Sequence, residues 1–185
     1  IMLSAGDDKK ILAMIDPYNP TGSSRTVNFT TSKTLRWQTD SRRCHVNWAI
    51  CDSTWEQEFC RVLENQPQLK SYVKNQGLGF EVPYNYMSTV RRYIPDFIAQ
   101  VDDGHGADNL LNLVCEVKGY RGEDAKDKHN TMKTFWVPGV NNTGKFGRWA
   151  FAEFRDVLEM DGDFAAKVEA EVAGVISTVL AKEMR

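Results

Sequence analysis

Residues 110–120 run Leu-Leu-Asn-Leu-Val-Cys-Glu-Val-Lys-Gly-Tyr, and this stretch constrains the fold more than any other. Its apolar character predicts a strand, yet it carries Glu116 and Lys118 two residues apart. Side chains two apart on a strand share a face. A carboxylate and an ammonium in such a strand lose solvation, which is tolerated when they pair with each other or with a metal ion. Twenty residues upstream, Asp96 follows Pro95 inside a second β-rich run. Three charged groups are thus candidates to meet near one end of a sheet.

The flanking segments supply the rest of a mixed α/β fold. Residues 53–65 predict a helix, with Ser53 as its cap, Glu56 three residues later as a capping-box partner, and Trp55, Phe59, Val62 and Leu63 on one face. Pro67 ends it. Strand-like runs follow around Phe80–Met87, Val90–Val101 and Leu110–Tyr120, with Ser71–Lys74 as a possible start of the first. After Gly122 a helix carries Ala125, His129, Met132 and Trp136 on one stripe and is expected to stop at Pro138. A Gly- and Asn-rich connection from Gly139 to Gly147 leads to a strand at Trp149–Phe154. A last helix begins near Asp163, with Phe164, Val168, Val172, Val175 and Val179 inward. The order is αβββαβα. Before it, Ile11–Ile15, Thr26–Thr31 and Val46–Ile50 are extended pieces separated by turn signals, so residues 1–50 form a β-rich appendage or linker and 51–185 the main domain.

At 185 residues and 42% hydrophobic content the chain can bury one core. No apolar run reaches the roughly 20 residues of a bilayer span, and the first thirty residues lack the order of a signal peptide, so a soluble, cytoplasmic protein is expected. The beginning at Ile1 and the early turn-rich stretch suggest a piece of a longer protein. Cys44, Cys51, Cys60 and Cys115 form no CxxC pair, and His45, His105 and His129 fall at no zinc spacing; buried reduced thiols are the expectation. A net charge of −2 excludes a protein that coats nucleic acid electrostatically. Between Lys118 and Arg148, however, seven basic residues face three acidic ones, marking a candidate phosphate-facing surface.

Phosphodiester hydrolysis needs a hard cation that polarises the phosphoryl oxygen and lowers the pKa of a bound water; magnesium takes a few carboxylate oxygens plus waters. Asp96 and Glu116 are the candidate ligands. Lys118 is placed to position or deprotonate the attacking water or to offset phosphate charge. A structural salt bridge among the three explains the spacing equally well. On the first helix, Glu56 and Glu58 border the apolar stripe; Glu56 is favoured as the carboxylate facing the sheet, although completing the cap with Ser53 accounts for it as well. Lys126, Asn130 and Lys133 recur at i, i+4 and i+7 beside the apolar stripe of the second helix. Such a row can face a phosphate backbone or simply be a solvated face, and Arg91 and Arg92 carry the same two readings.

Pro95-Asp96 followed by Glu116-Val117-Lys118, in αβββαβ order, resembles the PD-(D/E)xK nuclease superfamily. The runs Asp52-Ser53-Thr54-Trp55-Glu56, Val73-Lys74-Asn75-Gln76-Gly77-Leu78-Gly79-Phe80 and Tyr93-Ile94-Pro95-Asp96-Phe97 are similar to the endonuclease domain of the Res subunit of type III restriction enzymes. So are Glu116-Val117-Lys118-Gly119-Tyr120-Arg121-Gly122-Glu123-Asp124-Ala125-Lys126 and Trp136-Val137-Pro138-Gly139-Val140-Asn141-Asn142. The likeness covers roughly residues 25–160. It implies a restriction-endonuclease-like core, a central mixed sheet flanked by helices, preceded by an appendage or linker from a motor region. It further implies metal-binding and catalytic Asp96 and Glu116, catalytic Lys118, a family glutamate at Glu56, and Mg as cofactor with Mn as substitute. Double-stranded DNA and a methyltransferase (Mod) subunit are the implied partners, in a bacterial cytoplasm. The ATP-driven motor of such a subunit needs a GxxxxGK[ST] loop that this chain lacks, so ATP concerns only that motor. A noncatalytic DNA-binding or docking module that keeps the nuclease fold is the alternative.

Overall fold

The structure is a computed structural model that describes residues 11–16, 18, 21–117, 123–156, 162–170 and 173. It begins with a small antiparallel pair, β1 (Arg36–Gln38) and β2 (Trp48–Ile50), in register Trp37↔Ala49. Helix α1 (Thr54–Asn65) follows, its first turn capped as expected: the Glu56 amide donates to Ser53 Oγ at 3.2 Å. Phe59, Cys60, Val62 and Leu63 on this helix have no solvent exposure, which defines the face laid against the sheet.

The main sheet has four strands in the order β3–β6–β7–β8, formed by β3 (Leu69–Lys74), β6 (Phe97–Val101), β7 (Leu111–Val117) and β8 (Arg148–Phe154). β3–β6 and β6–β7 are antiparallel and β7–β8 is parallel. A parallel neighbour requires a crossover connection, which helix α2 (Ala125–Asn130), a π-helical segment at Thr131–Trp136 and α3 (Val137–Thr143) supply. Between β3 and β6 a hairpin, β4 (Val82–Tyr86) and β5 (Thr89–Tyr93), forms a sheet of its own.

The apolar 110–120 segment forms β7, which is central and covered on both faces. Leu111, Leu113, Cys115 and Val117 face α1 and residues 162–170 together with Phe97, Phe154 and Phe164; Phe59 lies 4.6 Å from Phe154 and 5.3 Å from Phe97, ring centre to ring centre. Val114 on the opposite face joins Phe151, Met132, Val82, Tyr84 and Tyr93. Cys44, Ala49 and Cys51, with Leu35, Trp37 and Val46 against them, belong to the α1-side cluster, so β1 and β2 pack into the main core. The mixed α/β class and the αβββαβ order of α1–β3–β6–β7–α2–β8 agree with expectation.

Several boundaries differ. The run Val90–Val101 is two strands in two sheets, because Pro95 has no N–H to offer a ladder and the Asn75 side chain takes up the Pro95 and Phe80 carbonyls at 2.9 and 2.8 Å. The first strand of the main sheet is accordingly β3, and the Phe80–Met87 run belongs to the hairpin. Pro138 does not stop the second helix. The Val137 amide reaches back five residues to the Met132 carbonyl, and this wider turn just before Pro138 relieves the clash a proline ring makes with the preceding turn. The helix therefore runs through Gly139–Thr143, expected to be loop, and ends at Gly144, whose positive φ of 66° suits a glycine cap. Neither Ile11–Ile15 nor Thr26–Thr31 is a strand. Residues 24–26 form a 3₁₀ turn, and the first piece touches the fold through the Ala13 amide, which donates to the Gly139 carbonyl at 3.0 Å. β1 was not expected: three residues with polar ends carry too little pattern to read. Phe164 and Val168 face inward as anticipated, whereas Val172, Val175 and Val179 lie outside the described residues, as does the end of the Leu110–Tyr120 run. Among the described residues no helix is long and apolar enough to cross a membrane.

Candidate active site

The pairing Phe97↔Cys115 between β6 and β7 means that one further step brings Asp96, at the entry to β6, beside Glu116 near the end of β7. Twenty residues of sequence separation thus become adjacent positions at one end of the sheet. Asp96 Oδ2 accepts the Val117 amide at 2.8 Å, its Oδ1 lies 3.4 Å from Lys74 Nζ, and its carbonyl accepts the Asn75 amide at 2.8 Å. The carboxylate is therefore held at both oxygens. Glu116 Oε2 accepts the hydroxyl of Tyr93, the last residue of β5, which is buried; burial first, and then Glu116 itself, push that phenol above its ordinary value.

Glu56 and Glu58 separate clearly. Glu58 pairs with Arg61 at 2.6 Å on the helix surface. Glu56 is only 5% exposed, and its Oε2 accepts both the Asp52 amide at 2.9 Å and Lys74 Nζ at 2.7 Å. Glu56 faces inward and Ser53 caps its amide, but the Glu56 carboxylate takes the Asp52 amide rather than the Ser53 amide of a capping box. Burial pushes the Glu56 carboxyl above its ordinary value despite Lys74. Lys74 is itself 9% exposed and sits over the Phe97 ring at 4.9 Å. Burial works against its ammonium, but Asp96 and Glu56 outweigh burial and hold it above the usual lysine value.

Lys118 lies outside the described residues. Lys126 and Asn130 are exposed on α2, with Asn130 Oδ1 accepting from the Thr134 hydroxyl at 3.0 Å; Lys133 falls within the widened turn and is half-buried. Arg91 stacks over Tyr86 at 4.3 Å and Arg92 pairs with Glu81 at 2.6 Å. The four cysteines are buried free thiols. Each histidine has its own neighbour: Ser24 Oγ lies 3.1 Å from His45, Asp103 3.1 Å from His105, and Glu153 3.2 Å from His129.

Sequence reasoning missed Lys74, Tyr93 and Glu153. Glu153 stands beside Glu116 across β7–β8 and is 8% exposed. Its signal was the one that marked Glu116, a lone carboxylate inside the apolar run Trp149–Phe154. Lys74 shares the inward face of β3 with Tyr72, two residues away, but that signal exists only once β3 is known to be a strand.

Among the described residues no group of three His, Cys, Asp or Glu side chains forms a ready metal cage. The donor set nonetheless fits magnesium or manganese. Asp96 and Glu116 offer hard oxygens at neighbouring positions, each oriented by an N–H or O–H donor, and magnesium uses one or two carboxylates while retaining waters.

A family model described as an endonuclease domain matches residues 43–136, which takes in β2, α1, β3, the hairpin, β6, β7 and the start of the crossover. No match was found among curated proteins or among solved structures. The matched span exceeds half of the chain and contains Glu56, Asp96 and Glu116, and the mixed sheet flanked by helices that it completes with β8 is consistent with a restriction-endonuclease-like fold: the chain belongs to the endonuclease-domain family.

Proposed function

We propose that the chain is a metal-dependent DNA endonuclease domain that hydrolyses phosphodiester bonds within the Res subunit of a type III restriction enzyme. The observation that carries this reading is the placement of Asp96, at the entry to β6, beside Glu116 near the end of β7, with both carboxylates oriented by buried or backbone donors. Asp96 and Glu116 would hold Mg, or Mn in its place, which when bound polarises a phosphoryl oxygen and makes a water nucleophilic near neutral pH. The Val117 amide and the Tyr93 hydroxyl fix the two carboxylates before substrate arrives. Lys118 matches the lysine of the family motif, where it positions or deprotonates the attacking water or offsets phosphate charge. Lys126, Asn130 and Lys133 follow on the next helical segments as the residues toward the DNA backbone.

In this reading the motor of the complete subunit hydrolyses ATP, and a methyltransferase subunit reads the recognition sequence. The test is Asp96→Ala in the reconstituted restriction enzyme. DNA cleavage should disappear while ATP hydrolysis continues; cleavage at the wild-type rate would refute the assignment. Lys126→Ala should weaken DNA binding and lower the salt slope by about one unit.

A further inference from the structure

The ammonium of Lys74 lies between two carboxylates from different elements. Glu56 comes from α1, and its Oε2 already takes the Asp52 amide at 2.9 Å and Lys74 Nζ at 2.7 Å. Asp96 comes from the entry to β6; its Oδ1 lies 3.4 Å from the same Nζ, and its Oδ2 takes the amide of Val117, the residue after Glu116. The side chains of Glu56 and Lys74 are 6% and 9% exposed, so water does little to screen the contact. Glu56 is thereby tied to Lys74, and Lys74 in turn reaches the carboxylate that the nuclease reading makes a ligand.

We infer that Lys74 is a positioning residue, and that Glu56 acts on the site through Lys74 rather than as a metal ligand. The two form a relay from α1 through β3 to β6: Glu56 sets the ammonium, the ammonium sets Asp96 Oδ1, and the Val117 amide sets Asp96 Oδ2. A carboxylate held at both oxygens keeps one orientation toward Glu116. Groups that orient a ligand in this way typically change metal affinity by about ten- to a hundredfold when removed. This relay rests on the nuclease reading of Asp96 and names how that residue is held.

The test uses Mn²⁺ alone as the probe, its binding followed by electron paramagnetic resonance, with thermal unfolding measured on every variant. Asp96→Asn is the reference for loss of a ligand. Lys74→Met should weaken Mn²⁺ binding by at least about tenfold, and Lys74→Arg, which restores the charge and the donors, should recover most of the loss. Glu56→Gln should stay within about threefold of wild type, because its amide oxygen still accepts from Lys74, whereas a lost ligand would cost as much as Asp96→Asn does. Glu56→Gln decides the matter even if Lys74→Met does not fold. Unchanged or tighter Mn²⁺ binding in folded Lys74→Met, or a Glu56→Gln defect equal to that of Asp96→Asn, overturns the relay alone. Wild-type binding in Asp96→Asn instead removes the metal assignment and the relay with it.

Discussion

The two ends of the same sheet, about 20 Å apart along β6, treat charge in opposite ways. Beyond the last residue of β6, Asp102 pairs with Lys70 at 3.1 Å, and Asp103 takes a two-pronged contact from Arg148 at 2.6 Å on each oxygen. Each carboxylate there has its own cation, and Asp103 is 2% exposed in its side chain. At the entry to β6, Glu56 and Asp96 share a single ammonium, Lys74, among the described residues, and Glu116 stands beside them with a tyrosine hydroxyl. Neutralising carboxylates one by one stabilises a fold. Two carboxylates from different elements sharing one ammonium, as Glu56 and Asp96 do among the described residues, suit a place that receives a cation from solution. Under the proposed nuclease function, the difference separates a structural end of the sheet from a chemical one.

The sharpest way to break this contrast is to remove one partner at each end. Asp96→Asn should reduce cleavage at least about a hundredfold while changing unfolding free energy by no more than about 1 kcal/mol. Arg148→Ala should do the reverse, destabilising by about 2 kcal/mol as Asp103 loses its two-pronged contact and keeps, among the described residues, only His105, with Mn²⁺ affinity unchanged. Urea unfolding and metal titration of both proteins check the pair. If Arg148→Ala altered metal affinity as much as Asp96→Asn, the ends would not be independent.

A smaller effect concerns acid. Arg148 holds the Asp103 carboxyl below its usual range. A lowered folded value gives stability that is fully present above the unfolded carboxylate value of about 3.9 and is lost as pH falls through the folded one. Unfolding free energy should therefore drop between pH 5 and lower pH more steeply in the wild type than in Arg148→Ala, an expectation that urea titrations at about pH 5 and pH 3 would test. The smallest effect belongs to Tyr93→Phe, which removes the hydroxyl from Glu116. Loss of a hydrogen bond to a charged group should cost about 1.5 kcal/mol and weaken metal binding up to about tenfold. No change in either quantity would show that Glu116 is oriented by other means.

Much of the chemical end was legible because its signals are local. Ser53 and Glu56 mark the start of α1 within four residues, and Glu116 stands out inside an apolar run. What escaped depends on contacts between distant segments. Lys74, expected only within a possible strand start at Ser71–Lys74, becomes an inward charge through the pairing of β3 with Phe97, and its contact supports the choice of Glu56 that the helix face favours. The break between β5 and β6 needs the Asn75 side chain to take the Pro95 carbonyl from twenty residues away. Pro138 misled for the opposite reason: its local preference is strong, and the wider turn before it accommodates the ring. The candidate row Lys126, Asn130 and Lys133 shows the same effect, since that turn leaves Lys126 and Asn130 exposed but Lys133 half-buried.

The most direct test of the metal-site proposal is calorimetric titration of the chain with manganese and magnesium, with and without a DNA duplex, repeated on Asp96→Ala combined with Glu116→Ala. The account predicts binding in the wild type that is lost in the double variant under the same conditions. Equal binding by both proteins would place the metal elsewhere and contradict it.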